Sequence, residues 1–517
     1  VIDLGSNTFH LAITSLDEAG QTHVIDGQKE NMRLAEAIDD GMIPEKIFER
    51  ATEALLAMKS IGQSYQAEFR VVATQAIRAA HNRLTFIDHI QKKTGLKLEI
   101  IDGLEEARLS FLGVSHGLSF GLETLLSLDI GGASTEIAVG RGADCTYLSS
   151  LKMGALLLSK THFFDKGHTP EQLEDLRQYV EARLTPIQAD LFGANIQNAA
   201  ATSGTAKSLA RMIHHDRRKG DLEDPHGFRF TAAELYAIEQ ELGQILDPDR
   251  IAVRWGLEMK RADIIVAGCV ILSTLTRLLQ IPQWIVSSSG LREGVAIDTY
   301  ERKGILPRAH WQDLRWQSVV GFAGKLRLDP TFAARMSDLS VRILDEFLAF
   351  PEFAEMCNDV RLDRDLLMAA SYLLETGKFI SFSSYHRHSY YLITESSLLG
   401  YTQEEKHLIA LINRFSRKNP AKSGRSDSLP YLDRNLARVN LLSSCLRIAR
   451  CLLRTRQLKI QNLNIVKQGD TYILNMTSTR GSRLDAEQLA LKKEGKSLEK
   501  SLDCSFDYRM LPAGSAP

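Results

Sequence analysis

Cysteine is scarce and scattered in this chain. Its six occurrences, at 145, 269, 357, 445, 451 and 504, form no C-x-x-C pair and stand beside no histidine at ligand spacing, so neither a disulfide scaffold nor a cysteine-bound zinc site is expected. They read as reduced thiols, and the expected compartment is the cytoplasm. An uninterrupted apolar run is also missing: the most apolar stretch, Ile264 to Leu279, is preceded by Asp263 and broken by Arg277, and reads as a buried helix with no integral membrane segment. Nor is there an excess of charge. Basic side chains number 63 against 64 acidic ones, net −1, which argues against a general nucleic-acid coat. No Met opens the chain and Val1 falls inside a strand-like run, so a few leading residues are expected to precede it, and the lack of a secretory leader carries little weight.

What is present is ordinary globular composition, 44% hydrophobic and 25% charged, in 517 residues, enough for two to four domains. The most informative feature is a short pattern that occurs twice. Asp3-Leu4-Gly5-Ser6-Asn7 lies between the strand-like runs 1–4 and 9–13, and Asp129-Ile130-Gly131-Gly132-Ala133-Ser134-Thr135-Glu136 between 125–130 and 136–139. Each reads as a hairpin with a Gly-rich turn whose backbone N–H groups and hydroxyls converge on an anion. A carboxylate heading each loop suits a divalent metal beside bound phosphate, and Glu136, one pleat further on, is an acid that a structural turn has no need of. The pair is expected to grip one phosphate chain from two sides.

Further short motifs suit the same chemistry, each with a bland alternative as a helix cap or surface ion pair. Thr74 to Arg78 ends a strand with a hydroxyl and opens a helix with an arginine. Ser203-Gly204-Thr205, ahead of Lys207, is a second anion nest at a strand-to-helix junction. Asp102-Gly103-Leu104-Glu105-Glu106 places two carboxylates at a helix start. Between Arg414 and Lys459 stand twelve Lys or Arg against two Asp, and Arg447, Arg450 and Arg454 share a helical face, which is expected to form a polyanion track unless it is a solvated surface.

Strand and helix signals alternate up to about 298, in two similar halves. From about Tyr300 helix follows helix, visible at 337–350 and 366–374. A polar loop at 419–428 leads to a helix at 436–453, a hairpin at 463–476 turning at Gly469-Asp470, and a loose last ten residues.

Taken together, VIDLGSNTFHL, VVATQAIRAA, DGLEEARLSFLG, LDIGGASTEIAVG, ATSGTAKS, RADIIVAGCVIL and SSSGLREGV resemble, in order and spacing, the exopolyphosphatase and guanosine pentaphosphate phosphatase family of the actin-like ATPase, ribonuclease H-like superfold. The remainder is similar to the longer members, more weakly, through YHRHSYYLI at 385–393. The resemblance implies an α/β fold of two ribonuclease H-like domains around a cleft, at 1–104 and 105–298, then an all-α HD-like domain at 299–425 and a small α+β domain at 426–517. It implies Glu106 as general base, Asp129 and Glu136 as catalytic acids holding Mg2+ together with Asp3, and phosphate held by Ser6, Asn7, Thr74, Arg78, Gly131, Gly132, Ala133, Ser134, Ser203, Gly204 and Thr205. Arg292 is expected to brace the second half rather than touch substrate.

The chain departs from the family pattern at Ala133, where relatives have a third glycine. It departs again at Leu374-Glu375 and Arg414-Phe415-Ser416, where usual imidazoles are missing, so His386 and His388 are not expected to build a second metal centre. The implied function is exopolyphosphatase, a Mg2+-dependent phosphoanhydride hydrolase, cytoplasmic or peripheral at the inner membrane, and a homodimer. Guanosine pentaphosphate 5′-phosphohydrolase, a small-molecule kinase of the same superfold, and a non-catalytic polyphosphate or alarmone sensor are the alternatives.

Overall fold

The computed structural model describes residues 1–17, 22–38, 40–163, 167–218, 222–306, 311–396, 398–417, 420–422, 429–479 and 482–511. The chain forms two compact units, Val1–Trp311 and Gln312–Pro517.

The first unit holds two sheets of matching design. Strands β1 (Ile2–Leu4), β2 (Thr8–Leu16), β3 (Thr22–Asn31), β4 (Val71–Ala73) and β5 (Leu98–Ile100) lie in the order β3-β2-β1-β4-β5. Strands β6 (Leu125–Ile130), β7 (Thr135–Arg141), β8 (Asp144–Leu151), β9 (Asn198–Thr202), β10 (Arg229–Thr231) and β11 (Gln283–Val286) lie in the order β8-β7-β6-β9-β11-β10. Each sheet opens with an antiparallel meander and continues with parallel strands, and the second adds one antiparallel edge strand. The duplicated halves expected from the motifs are therefore the same topology used twice. Short parallel strands of small and branched residues, such as Val71-Val72-Ala73 and Ala199-Ala200-Ala201, are buried on both faces, as helix-covered strands must be.

The helix that carries the apolar stretch is longer than that stretch, Met259–Leu279, and by length and composition it qualifies as a membrane span. Most of it is buried in the second sheet's core, with Ile265, Val266, Cys269, Val270 and Leu272 packed inside.

Two helices begin at the cleft between the sheets, Gly103–Leu118 and Leu291–Arg302. They touch backbone to backbone: a methyl on Gly113 would lie 2.0 Å from the Gly290 carbonyl, and one on Gly294 1.8 Å from that of Leu109. A buried ionic brace joins them. Asp298, fully buried, accepts from Arg70 at 2.6 Å and from Arg108 and Arg302 at 2.7 Å each, while Arg108 also forks onto Glu105. These guanidinium partners hold the Asp298 carboxyl well below the usual range in spite of its burial. Expected domain edges need revising here. An edge at 298/299 would cut the Leu291–Arg302 helix, whose Thr299 and Tyr300 bond Arg70 and Thr14 of the first sheet.

The second unit packs helices 311–325, 330–348, 360–372, 385–394, 403–415 and 436–452 around one apolar core. The expected helix at 366–374 starts earlier, at Val360, where Asp359 caps it. A sheet of β12 (Ile460–Gln468), β13 (Thr471–Ser478) and β14 (Ser505–Leu511), with helix Asp485–Leu502, completes the unit. This α+β segment is not a separate domain. Tyr472 packs edge-on against Phe350 and Phe353, Phe506 lies against Phe347, and all belong to the helical core. The expected edge at 425/426 lies outside the described residues. Of the last ten residues, expected to be loose, 508–511 belong to β14, which pairs in parallel with β13 up to Leu511, and 512–517 lie outside the described residues.

The basic stretch corrects another expectation. Arg447 is fully buried, its guanidinium donating to Glu494 and to the Phe415 carbonyl at 2.6 Å each, and Arg450 reaches the same Glu494 at 2.7 Å. Arg434 pairs with Glu404, Arg438 with buried Asp363, Arg456 with Asp329 and Glu375, and Lys459 with Glu487. Arg454 alone of the three proposed track residues stays exposed. Acids distant in sequence pair with Arg434, Arg438, Arg447, Arg450, Arg456 and Lys459, so Arg447 and Arg450 are structural, and among the described residues Arg447, Arg450 and Arg454 form no open row of guanidinium groups.

Candidate active site

The two loops are built to one plan. In β1/β2 the register pairs Leu4 with Phe9 and Asp3 with His10; in β6/β7 it pairs Ile130 with Thr135 and Asp129 with Glu136. Four residues separate the last paired positions in each case, and each turn closes in the same way, Gly5 N–H on the Thr8 carbonyl at 3.1 Å and Gly131 N–H on that of Ser134 at 3.0 Å. Asp3 and Asp129 thus occupy equivalent places, as do His10 and Glu136.

Both loops open on one cavity of about 320 Å³, lined by Asp3, Ser6, Asn7, Thr74, Glu106, Asp129, Glu136, the 131–134 loop, and Ser203 to Thr205. The second loop shows how an anion nest is made. The carbonyls of Gly131 and Gly132 accept from the N–H groups of Ala155 and Leu157, at 3.0 and 2.9 Å, so they point toward that helix. Across a planar trans peptide the N–H lies opposite its carbonyl, which turns the amides of Gly132 and Ala133 the other way, toward the cavity. Ala133 needs no left-handed backbone and is absent from the positive-φ residues, so its methyl carries no strain. The glycine that matters sterically is Gly154, where a methyl would lie 2.4 Å from the Gly132 carbonyl group.

Glu106 comes from the first turn of the Gly103–Leu118 helix, which Asp102 caps by accepting from the Glu105 N–H at 2.8 Å. Glu105 turns to Arg108, and Glu106, a helical step round, turns to the cavity. Arg78, expected to hold phosphate, does not line the cavity. It donates to Glu106 at 3.2 Å and to the Ile101 carbonyl at 2.6 Å, so it orients the carboxylate instead.

Besides Glu293, which accepts from the Gly290 N–H at 2.8 Å, four carboxylates line this space: Asp3, Glu106, Asp129 and Glu136. Burial is the main cause that raises each, pushing Asp3 and Glu106 up to about 7 and lifting Asp129 and Glu136 as well. Arg292 opposes the shift at Asp3 and Arg78 at Glu106, while neighbouring acids add to it. Asp3 Oδ1 is buried with no hydrogen-bond partner. This surplus of poorly compensated negative charge fits a divalent cation. Among the described residues no three His, Cys, Asp or Glu side chains converge closely enough to enclose an ion. Mg2+ here would rest on carboxylates drawn from Asp3, Asp129 and Glu136 and fill its octahedron with waters and phosphate oxygens, its usual habit.

The shifts fix a pH dependence. Asp3 and Glu106 hold their protons more tightly folded than unfolded, so the stability they contribute is full below about pH 4 and is lost as pH rises through about 7. The metal-free protein is expected to melt a few degrees lower at pH 8 than at pH 5.5, and Mg2+ to raise the midpoint more at pH 8. Equal midpoints with equal Mg2+ effects, in calorimetry at both pH values, would contradict the buried acid cluster.

Bases face the same cavity: His10, Lys29 and Arg261, which motif reading passed over, and Lys207 and Arg292, which it named. Burial, then crowding by one another, lowers Lys29 and Lys207, and pushes His10 down to about 3. Arg292 does not merely brace the second half; it lines the cavity and donates to His10 Nδ1 at 2.9 Å. Their signal in sequence is that Arg261, Lys207 and Arg292 lie within or beside RADIIVAG, SGTAKS and SGLREG.

Fold and site together define a protein of the actin-like ATPase class, with two matched Gly-containing turns lining one polar cleft. Family models for the Ppx/GppA phosphatase family and for its domain III match residues 13–303 and 314–495. The chain belongs to the Ppx/GppA phosphatase family. Among solved structures it is similar to the Aquifex aeolicus member of that family, with 25% identity, 58% of this chain and 97% of that chain covered, and a TM-score of 0.53. It is also similar to an exopolyphosphatase from Cytophaga hutchinsonii, with 26% identity, 58% and 96% covered, and a TM-score of 0.53.

Proposed function

We propose that this phosphatase is an exopolyphosphatase that releases terminal orthophosphate from inorganic polyphosphate. The observation that carries the reading is the content of the cleft: buried acids, two anion-binding turns and a crowded set of bases, with no Phe, Tyr or Trp among the lining residues. A phosphate chain needs only charge and N–H donors, whereas a guanine base would ordinarily be held by stacking.

In this reading the loops at 5–8 and 131–134 hold the terminal phosphoryl group, and Arg292, Lys207, Arg261 and Lys29 take the following phosphates. Mg2+, when bound beside Asp3, Asp129 and Glu136, would neutralise phosphoryl oxygens. Glu106 takes the proton of the attacking water as its oxygen bonds phosphorus. The bridging P–O bond breaks and its electron pair leaves on the shortened chain. A group buried to about 7 and steadied by Arg78 is suited to accept a proton near neutral pH.

Guanosine pentaphosphate 5′-phosphohydrolase is the competing reading, since the same groups act on a shorter substrate. Side-by-side phosphate release from long polyphosphate, tripolyphosphate and guanosine pentaphosphate, with and without Mg2+, decides between them. Faster turnover per active site on long polyphosphate, dependent on Mg2+, is expected. Preference for the pentaphosphate would overturn the assignment while keeping the chemistry.

A further inference from the structure

Asp129 is gripped by two hydroxyls from different elements. Ser110, one turn beyond Glu106 on the Gly103–Leu118 helix, donates to Oδ2 at 2.7 Å, and Ser203 donates to Oδ1 at 2.5 Å. Both serines are largely buried or half-buried at the cleft, and neither bond is made by a charged donor. Neutral donors of this kind hold a carboxylate in one rotamer without cancelling its charge. Each oxygen keeps a further lone pair. Asp3, the equivalent acid of the other hairpin, has an oxygen with no such partner, so the two matched positions are treated differently.

Ser203 takes up this bond from an unfavourable backbone. It stands where β9 ends and the Ser203–Arg218 helix begins, at φ +71°, in the left-handed region where glycine is at home and a residue with a Cβ is strained. The next residue is a glycine in a tight place: a methyl on Gly204 would lie 2.3 Å from the Arg261 guanidinium, which would have to move aside. The adjacent hydroxyl, Thr202 Oγ1, is spent on the Ser287 and Ser289 carbonyls and does not serve Asp129. A strained serine whose side chain closes on a buried acid points to a use for that hydroxyl.

We propose that Ser110 and Ser203 are positioning residues that form a clamp on Asp129, presenting its carboxylate in one orientation to a divalent cation, and that Ser203 serves the acid rather than the phosphate. The inference rests on the reading that Asp129 holds the metal. It makes a distinctive demand on Ser203→Gly, which removes the hydroxyl and relieves the backbone strain together.

The test titrates Mn2+ into the full-length chain, free of phosphate, with bound ion followed by electron paramagnetic resonance. Thermal midpoints of the metal-free proteins are measured alongside. Ser110→Ala and Ser203→Gly are each expected to weaken Mn2+ binding about tenfold, as loss of an orienting partner does. Ser203→Gly is expected to melt no lower than wild type, which separates the clamp from a structural role. Inorganic phosphate binding without metal is expected to stay within twofold of wild type in both variants. Wild-type affinity for Mn2+ in Ser203→Gly, or a loss of phosphate binding with Mn2+ binding intact, would overturn the clamp alone. Failure of the wild-type protein to bind Mn2+ would overturn the metal reading and the clamp with it.

Discussion

Glu106→Gln is expected to lower phosphate release from polyphosphate by about 10²–10⁴-fold, the range associated with loss of a general base, while the protein folds and melts at or above the wild-type midpoint. The two halves of the expectation have one cause. Glu106 is buried beside Asp3 and Asp129, and its carboxyl is pushed up to about 7 chiefly because water is excluded from it. An isosteric amide keeps the acceptor for Arg78 and the packing but abolishes the proton-accepting oxygen. It also removes one charge from a crowded acid cluster, which stabilises rather than weakens the folded state. Turnover should be measured at saturating polyphosphate and compared with a calorimetric midpoint. Near-wild-type turnover would remove Glu106 from the chemistry, and a collapse of the midpoint would show that its role is structural.

Arg447→Ala is expected to destabilise the second unit by about 3–5 kcal/mol, the cost of breaking a buried ion pair, and to leave phosphate release per folded molecule unchanged. The guanidinium is fully enclosed and bridges Glu494 on one side and the Phe415 carbonyl on the other. Truncation would leave a carboxylate with only Arg450 and a buried carbonyl without its donor. Denaturant unfolding followed for the second unit reads the loss directly. A variant of wild-type stability with weakened binding of long polyphosphate would restore the polyanion track that the ion pairs argue against.

The outcome for the basic stretch shows which inferences a sequence permits. The count of twelve bases against two acids between 414 and 459 is accurate, yet Arg447, Arg450 and Arg454 form no open row, because the acids that pair with half of the bases, among them Asp363, Glu375, Glu404, Glu487 and Glu494, lie outside the window in which the charge was counted. The paired turns behave oppositely. The strand register and the closing hydrogen bond of each turn, from Asp3 to His10 and from Asp129 to Glu136, lie within eight consecutive residues, so their equivalence is legible without coordinates. Arg78 and Arg292 fall between these cases: both were noticed, but which one faces the cavity depends on how helices pack, and the structure assigns them the reverse of what was expected.

The sequence by itself determined the repeated turns, the acids that head them, the helix start that carries Glu106 and the family these features mark, because hairpin closure, capping and small-residue turns are set by neighbours in the chain. Only the tertiary structure decided that His10 and four bases share the cleft, that Ser110 and Ser203 grip Asp129, and that Arg447 is buried. Burial and charge pairing are properties of residues brought together from distant parts of the chain, and no local pattern records which side chains will meet.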